Sequence, residues 1–333
     1  MKKTLIWLLK LFISGSLALA IVSGLCFFYY NLPVHYTNIS GATDYLWDQN
    51  HISIRANEGF AYTKTDEYGF VNTFPNKKDK VDVLVMGSSH GEGFNVNADQ
   101  NFTYRLNQKF TENGHDLYAY SIATSGHAFI RCLKNLDAAV KTYSPTECVV
   151  IETYKIEFDV KELEQLNSNT YPTLPSYNSG LIYHLQKLDF FRLAYSQASN
   201  FIAKDAPAPV SAPQKQTDLE KYKNLVESAI EKAGKIGADN NSRIIIVYCP
   251  TLELDYFGKV IPQSYTPQQE IFKAACEKYN VEFVDMYTSF QAEYTQAHHL
   301  PHGFANTQVG TGHTNKYGHN CIAEVLYSII TQR

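Results

Sequence analysis

The stretch VDVLVMGSSHGEG, residues 81–93, joins an apolar run to a turn rich in glycine and serine. The run is short, continuous and rich in branched residues, which is typical of a strand buried on both faces of a parallel sheet. Ligands of open parallel sheets collect beyond the carboxyl ends of the strands. The turn around Ser89 therefore lies where a functional site is expected.

Four further strand-like runs follow, with helical patterns between them. The predicted strands are 81–86, 117–122, 147–151, 243–248 and 281–285, and the predicted helices include 102–106, 129–140 and 320–330, with others starting at the capping residues Thr217 and Thr266. Alternation of this kind predicts an α/β fold, a three-layer sandwich around a five-stranded, mostly parallel sheet.

The N-terminus predicts a membrane anchor. Lys2 and Lys3 precede an apolar segment, and Leu11–Tyr30 contains no charged residue. About 20 apolar residues span a bilayer as a helix, and the flanking lysines favour a cytoplasmic N-terminus. A cleaved signal peptide is the alternative, since residues 18–20 resemble a cleavage site. The apolar run continues well beyond them, which favours an uncleaved, single-pass anchor with the remaining chain outside the cytoplasm.

These features divide the 333 residues into three parts. Residues 1–32 form the signal-anchor helix, 33–80 a polar stalk and edge segment with a hairpin, and 81–333 one α/β domain. An irregular insertion is expected at about 160–216, because this part ends in a run rich in alanine and proline.

Composition excludes several classes of function. The net charge is -4 and no cluster of Lys or Arg occurs, so a nucleic-acid partner is not expected. The six cysteines form no CxxC pair, which argues against a zinc site and leaves one disulfide open. We expect no metal and no cofactor. The 24 Tyr and 19 Phe suit a carbohydrate-facing surface, although core packing accounts for most of them.

A serine nucleophile needs a base, and one histidine is suitably placed. His313 lies in GTGHTNKYGH, residues 310–319, just before the last helix. The loop after the fifth strand can return to the cleft above the first strand and bring His313 close to Ser89. The alternatives are an incidental glycine-rich turn or a phosphate-binding loop, but the lysine of a phosphate-binding motif is absent.

These blocks resemble the SGNH (GDSL-like) hydrolase superfamily, especially its membrane-anchored cell-envelope members. The serine block is matched by residues 87–89, with Ser88 in place of the usual aspartate, and the glycine block by residues 125–126. The resemblance implies that Ser89 is the nucleophile and His313 the base. It also implies that the amides of Ser89 and Gly126 form the oxyanion hole.

Two positions depart from the family pattern. The third block has no asparagine, so Glu152 or Thr153 are candidates for its place, and the usual aspartate position, three residues before His313, is Gly310. We therefore expect a Ser–His dyad. Its histidine would be oriented by a backbone carbonyl of residues 310–312, or by a carboxylate from elsewhere such as Glu152 or Asp285.

The resulting functional hypothesis is an extracytoplasmic serine esterase or O-acyltransferase that works through an acyl-serine intermediate. Its expected substrate is an acylated cell-envelope glycan or a small acyl ester, with a membrane-bound acyltransferase as a possible partner. The alternative is a non-catalytic accessory membrane protein with a degenerate SGNH fold that binds glycan or a partner acyltransferase.

Overall fold

The computed structural model describes residues 2–37, 41–75, 77–172, 181–205 and 218–332. Helix α1 (Lys2–Tyr29) is exposed along nearly its whole length. Its segment Lys3–Tyr29 has a mean hydropathy of 2.2 and is long and apolar enough to cross a membrane. The same length and composition fit a signal sequence. The predicted N-terminal apolar helix is confirmed.

Five short strands follow α1 and build two small antiparallel sheets, β1 with β4 and β5, and β2 with β3. Their bounds are β1 (Tyr30–Asn31), β2 (His35–Thr37), β3 (Tyr45–Trp47), β4 (Ile52–Arg55) and β5 (Ala61–Lys64). In β5 the residues alternate between buried and exposed, as expected for a strand with one face on a core. The segment predicted as a stalk is thus folded onto the domain, where Trp47 packs with Val71 and Phe94.

The central sheet has five parallel strands in the order β7-β6-β8-β9-β10. They are β6 (Val83–Met86), β7 (Ala119–Ser121), β8 (Cys148–Thr153), β9 (Arg243–Tyr248) and β10 (Glu282–Asp285). Both faces of β6 and β8 are fully buried, which explains their continuous apolar sequences. Each strand overlaps the corresponding predicted segment, so the predicted five-stranded parallel sheet is confirmed.

Helices cover both faces of this sheet. They are α2 (Ser89–Glu92), α3 (Phe102–Glu112), α4 (Phe129–Tyr143), α5 (Val160–Asn167), α6 (Leu181–Gln186), α7 (Asp189–Asp205), α8 (Leu219–Asp239), α9 (Pro267–Lys278), α10 (Tyr287–Ala297) and α11 (Lys316–Thr331). One hydrophobic core forms beneath α4, α5, α8 and α9, and the other beneath α3, α10 and α11. The fold is therefore the predicted three-layer sandwich.

Parts of the helical layer differ from the prediction. The insertion expected to be irregular contains α5, α6 and α7. Helix α10 was not predicted, because its sequence is largely polar and buries only Phe290. Thr217 lies outside the described residues, and Asp218 caps α8 by accepting a hydrogen bond from the Lys221 amide. All six cysteines are free thiols.

Strand order fixes where a site can form. The chain passes from β6 outward to β7 and then returns across β6 to β8, so the connections diverge between β6 and β8. Such a switch point opens a crevice at the carboxyl ends of the strands. Met86 pairs with Ile151 there, which brings the turn after β6 against the end of β8.

Candidate active site

A buried carboxylate holds the turn that carries Ser89, the first residue of α2. At the end of β8, Glu152 Oε2 accepts hydrogen bonds from the Ser88 amide and hydroxyl, both at 3.0 Å, and from the Gly91 amide at 3.1 Å. Ser88 Oγ in turn accepts from the His90 amide at 3.2 Å. Burial raises the pKa of Glu152, and these three donors partly offset that effect.

The glycines beside Ser89 make room for this carboxylate. A Cβ atom at Gly87 would lie 2.8 Å from Glu152 Oε2, and one at Gly91 would lie 3.0 Å from it. Neither glycine has the positive φ angle that would by itself require glycine. The need for glycine in this motif is therefore the close approach of the Glu152 carboxylate.

His313 and Ser89 are brought together as the sequence leads one to expect. His313 Nε2 lies 2.9 Å from Ser89 Oγ, within the reach of a general base. The Gly303 amide donates to the His313 carbonyl at 2.9 Å. Asn315 caps α11 by accepting from the amides of the first turn. Both side chains are thus carried on backbone that is held by hydrogen bonds.

The second ring nitrogen of His313 is held by Glu58, which sequence analysis did not identify. Both Glu58 carboxylate oxygens lie 2.8 Å from His313 Nδ1, and Oε1 also accepts from the His313 amide at 3.2 Å. The Glu58 side chain is 16% exposed and the His313 side chain is 23% exposed, so the pair is partly shielded from water. Donation from Nδ1–H leaves Nε2 free to accept a proton from Ser89.

The Glu58 carboxyl is ionised at neutral pH. Burial raises its pKa, but the hydrogen bonds and charge of His313, with a smaller contribution from Arg55, outweigh burial and lower the pKa to about 2. A permanent negative charge at this position stabilises the imidazolium that forms when His313 takes up a proton.

The groups that the sequence suggested for orienting His313 do not contact its Nδ1 atom. Glu152 is engaged with the turn around Ser89, and Asp285 accepts from the Tyr265 hydroxyl and, at 2.8 Å, from the Tyr287 amide. No carbonyl of residues 310–312 holds His313 Nδ1; instead a Cβ at Gly312, whose φ is +88°, would lie 3.0 Å from Glu58 Oε1. The glycines near His313 therefore admit a carboxylate.

Thr153, the other candidate for the third block, does not contact Ser89 or His313 through its hydroxyl. Thr153 Oγ1 donates to the Lys155 carbonyl at 2.6 Å and closes the turn after β8. No asparagine takes its place at this strand end. The Thr153 hydroxyl is therefore engaged within its own turn.

Glu58 lies in the hairpin turn between β4 and β5. Asn306, on the loop before His313, accepts from the Gly59 amide at 2.8 Å and donates to the Ala56 carbonyl at 2.7 Å. These bonds fix the hairpin to the histidine loop, although the two are about 250 positions apart in sequence. The one feature of the sequence that pointed to Glu58 was its place as a carboxylate in the predicted edge hairpin. No sequence spacing relates this hairpin to His313.

The turn at residues 125–126 is tied to α2 by another buried carboxylate. Glu92 accepts hydrogen bonds from the Ser125 hydroxyl and from Trp47 Nε1, and the Tyr45 hydroxyl donates to the Ser125 carbonyl. Within the described chain, the amides of Ser89 and Gly126 donate to no protein acceptor. They are therefore available to an oxyanion.

Three more histidines surround the site, and all are held neutral. His90 stacks on Tyr154, with ring centroids 4.9 Å apart, and lies 5.0 Å from the His313 ring. Burial, followed by the neighbouring histidines, lowers its pKa to about 3. His302 and His319 are buried, and burial lowers their pKa values to about 4 and about 3. His319 Nδ1 accepts a hydrogen bond from the Phe102 amide, so this ring nitrogen is engaged in a structural contact.

Comparison with known proteins finds similar chains among solved structures. No protein-family model matches the sequence, and neither does any curated protein. Among solved structures, the chain is similar to the psychrotrophic esterase EstA from Pseudoalteromonas sp., at 14% identity over 75% of this chain and 96% of that one, with a TM-score of 0.40.

Two further solved structures are similar to this chain. The first is the acetyl xylan esterase AlAXEase, at 13% identity over 74% of this chain and 99% of that one, with a TM-score of 0.38. The second is a protein from Parabacteroides merdae described as a GDSL-like lipase, at 15% identity over 78% and 99%, with a TM-score of 0.39. Conclusions about activity in this chain rest on its own site.

Replacing Glu58 tests its part in the site. Glu58→Gln keeps a hydrogen-bond acceptor but removes the negative charge and allows the wrong imidazole tautomer. We expect kcat/KM for a small acyl ester to fall by roughly 10²–10⁴-fold, as when the carboxylate of a Ser-His-Asp triad is neutralised. Steady-state hydrolysis of a nitrophenyl ester measures the loss.

The matched control is Asp285→Asn, which removes the carboxylate that the sequence had suggested. Asp285 contacts tyrosine groups and not His313. Its variant should retain activity within a few-fold. Equal losses in both variants, or a loss confined to Asp285→Asn, would contradict the assignment of Glu58.

The Glu92 carboxyl predicts a pH-dependent stability. Burial raises its pKa from 4.5 to about 7, despite hydrogen bonds from Ser125 and Trp47. Between these two pH values the folded chain keeps the proton and the unfolded chain releases it, so the free energy of unfolding falls as pH rises. Glu92→Gln is neutral throughout and can keep both contacts. The wild type should lose about 3 kcal/mol more than this variant between pH 4.5 and 7.

Urea unfolding followed by tryptophan fluorescence measures this difference, since Trp47 lies against Glu92. Above pH 7 the two curves should run parallel, because both folded and unfolded states are then ionised. A constant offset across the whole range would mean that Glu92 does not titrate with the shifted pKa.

Proposed function

We propose that this protein is an extracytoplasmic serine esterase or O-acyltransferase that acts on acyl groups of a cell-envelope glycan. The observation that carries the chemistry is the series of contacts from Ser89 Oγ to His313 Nε2 and from His313 Nδ1 to Glu58. This arrangement activates a hydroxyl for nucleophilic attack.

The proposed reaction has two halves. Ser89 Oγ attacks the ester carbonyl while His313 Nε2 takes the serine proton, and the carbonyl oxygen becomes an oxyanion that accepts from the amides of Ser89 and Gly126. When the oxyanion collapses, the C–O bond to the alcohol breaks, and His313 returns the proton to that oxygen. Water or an acceptor hydroxyl then attacks the acyl-serine by the same route. Water gives an esterase, and a sugar hydroxyl gives a transferase.

A non-catalytic accessory role is the competing proposal. The accessory role was suggested by the missing aspartate before His313. Glu58 instead provides a carboxylate at His313 Nδ1. The absent asparagine still removes one oxyanion donor, which predicts slow turnover rather than none, since one such donor contributes roughly 10²–10³-fold to kcat. Catalysis is therefore the proposal we favour.

Labelling of the nucleophile separates the two proposals. A fluorophosphonate probe should modify wild-type protein at Ser89 and should not modify Ser89→Ala, because only an activated serine reacts. Mass spectrometry of the labelled peptide locates the adduct. A folded protein that resists the probe would support the accessory role.

Substitution of the nucleophile and base should show that they act together. Ser89→Ala and His313→Ala should each remove nearly all ester hydrolysis, and the double variant should be scarcely worse than either, as for residues of one catalytic unit. Steady-state kinetics with circular dichroism as a folding control measures this. Multiplicative losses would mean that the two residues serve separate steps.

The location is proposed from the first helix. With Lys2 and Lys3 on the cytoplasmic side, α1 would span the membrane and place all following elements outside. Membrane fractions of cells expressing the full chain should retain the protein after carbonate washing. External protease should digest the domain in spheroplasts but spare a cytoplasmic N-terminal tag. Release of the mature domain without α1 would instead identify a cleaved signal.

A further inference from the structure

A cavity lies beside the candidate active site, at the carboxyl ends of β8 and β9. Its volume is about 380 Å³, within the range of small-molecule sites. Tyr154 lines it from the end of β8 and Tyr248 from the end of β9, and these strands pair in parallel up to Thr153 and Tyr248. The cavity is therefore built on the central sheet.

Tyr154 connects this cavity with the reacting groups. Its ring stacks on His90 at 4.9 Å and 21°, and the His90 ring lies 5.0 Å from that of His313. Tyr154 remains 49% exposed, so part of this side chain is open to solvent beside the candidate active site. A substrate with its ester at Ser89 can thus extend across Tyr154 into the cavity.

Another wall of the cavity is a hairpin fixed by hydrogen bonds. The Ile261 amide donates to the Glu253 carbonyl at 2.8 Å, and the Tyr287 hydroxyl donates to the Ile261 carbonyl at 2.8 Å. At its far end, the Tyr294 hydroxyl donates to the Gly258 carbonyl at 2.9 Å. This wall is anchored to α10, so the cavity does not depend on a free loop.

The lining shows which ligand chemistry fits. Amide and hydroxyl groups come from Gln263, Gln269, Ser264 and Thr251, and aromatic surface comes from tyrosines. Glu253 is the one acidic residue of the lining, and none of the lining residues is Lys or Arg. An anionic polymer would find no counter-charge here. A long aliphatic chain would meet polar groups that lose their hydration without gaining partners.

We propose that this cavity is a subsite for a neutral sugar ring, which holds the glycan chain while its acyl ester lies at Ser89. The C–H face of a sugar ring packs on the electron-rich face of an aromatic side chain, and the amide and hydroxyl groups of the wall bond its hydroxyls. The proposal rests on the proposed function, since it adds to that function the charge and class of the substrate.

Binding without turnover tests the subsite. We would use the full chain in detergent, carrying Ser89→Ala, and titrate it by calorimetry with xylohexaose, mannohexaose, cellohexaose and, as the anionic member, hexagalacturonate. We expect at least one neutral hexasaccharide to bind and hexagalacturonate to bind more than tenfold more weakly. Equal or tighter binding of the anionic member, or no binding of any neutral one, would overturn the proposal.

Variants locate the binding. Adding Tyr154→Ala should weaken the neutral hexasaccharide by about tenfold, whereas Tyr154→Phe should keep the affinity within about threefold, because the ring is retained. Tyr68→Ala serves as the matched control, since Tyr68 is similarly exposed, at 55%, on the edge segment. An unchanged affinity in Tyr154→Ala would show that the sugar binds elsewhere and would end the proposal.

Fluorophosphonate labelling of Ser89 in the parent chain distinguishes failure of the sugar subsite from failure of the proposed catalytic function. Labelling without binding of any neutral hexasaccharide overturns the subsite and leaves the proposed function intact. Sugar binding that depends on Tyr154, without labelling, overturns the catalytic function and leaves a glycan-binding cavity.

Discussion

The contact between the Glu58 carboxylate and the His313 imidazole connects the two ends of the chain. Glu58 lies in a hairpin near the N-terminal helix, and His313 lies just before the last helix. The carboxylate selects the tautomer that leaves Nε2 facing Ser89. The arrangement of Ser89, His313 and Glu58 at the end of β6 therefore requires that the edge segment is folded onto the domain, because that segment supplies the carboxylate.

Three glutamates serve this site in different environments. Glu58 is partly exposed and lies beside an imidazole, so its pKa is low and its charge is permanent. Glu92 and Glu152 are fully buried, so burial raises their pKa values, and each accepts hydrogen bonds from a turn near the reacting atoms. Glu152 fixes the turn that carries Ser89. Glu92, in the helix α2 that begins at Ser89, connects this helix to Ser125. The His313 partner lowers the pKa of Glu58, whereas full burial raises the pKa values of Glu92 and Glu152.

The edge segment also brings the acid close to the apolar helix. The Ala56 amide donates to the carbonyl of Tyr29, the last residue of α1, at 2.9 Å, and β1 pairs directly with β4. Glu58 follows two residues later. Glu58 is thus held within one hairpin of α1.

The sequence alone predicted the sheet and the Ser89–His313 pair. Buried parallel strands are continuous apolar runs, and each chemical block adjoins such a run or a helix start. It did not predict α10, whose sequence is largely polar and buries only Phe290. It also missed the helices of the insertion, which lie next to the run rich in alanine and proline. It also missed Glu58, because the acid comes from a separate small sheet and no local spacing encodes contacts between distant segments. The glycines at 87, 91 and 312 were visible as a motif, but only the tertiary structure revealed that each makes room for a carboxylate.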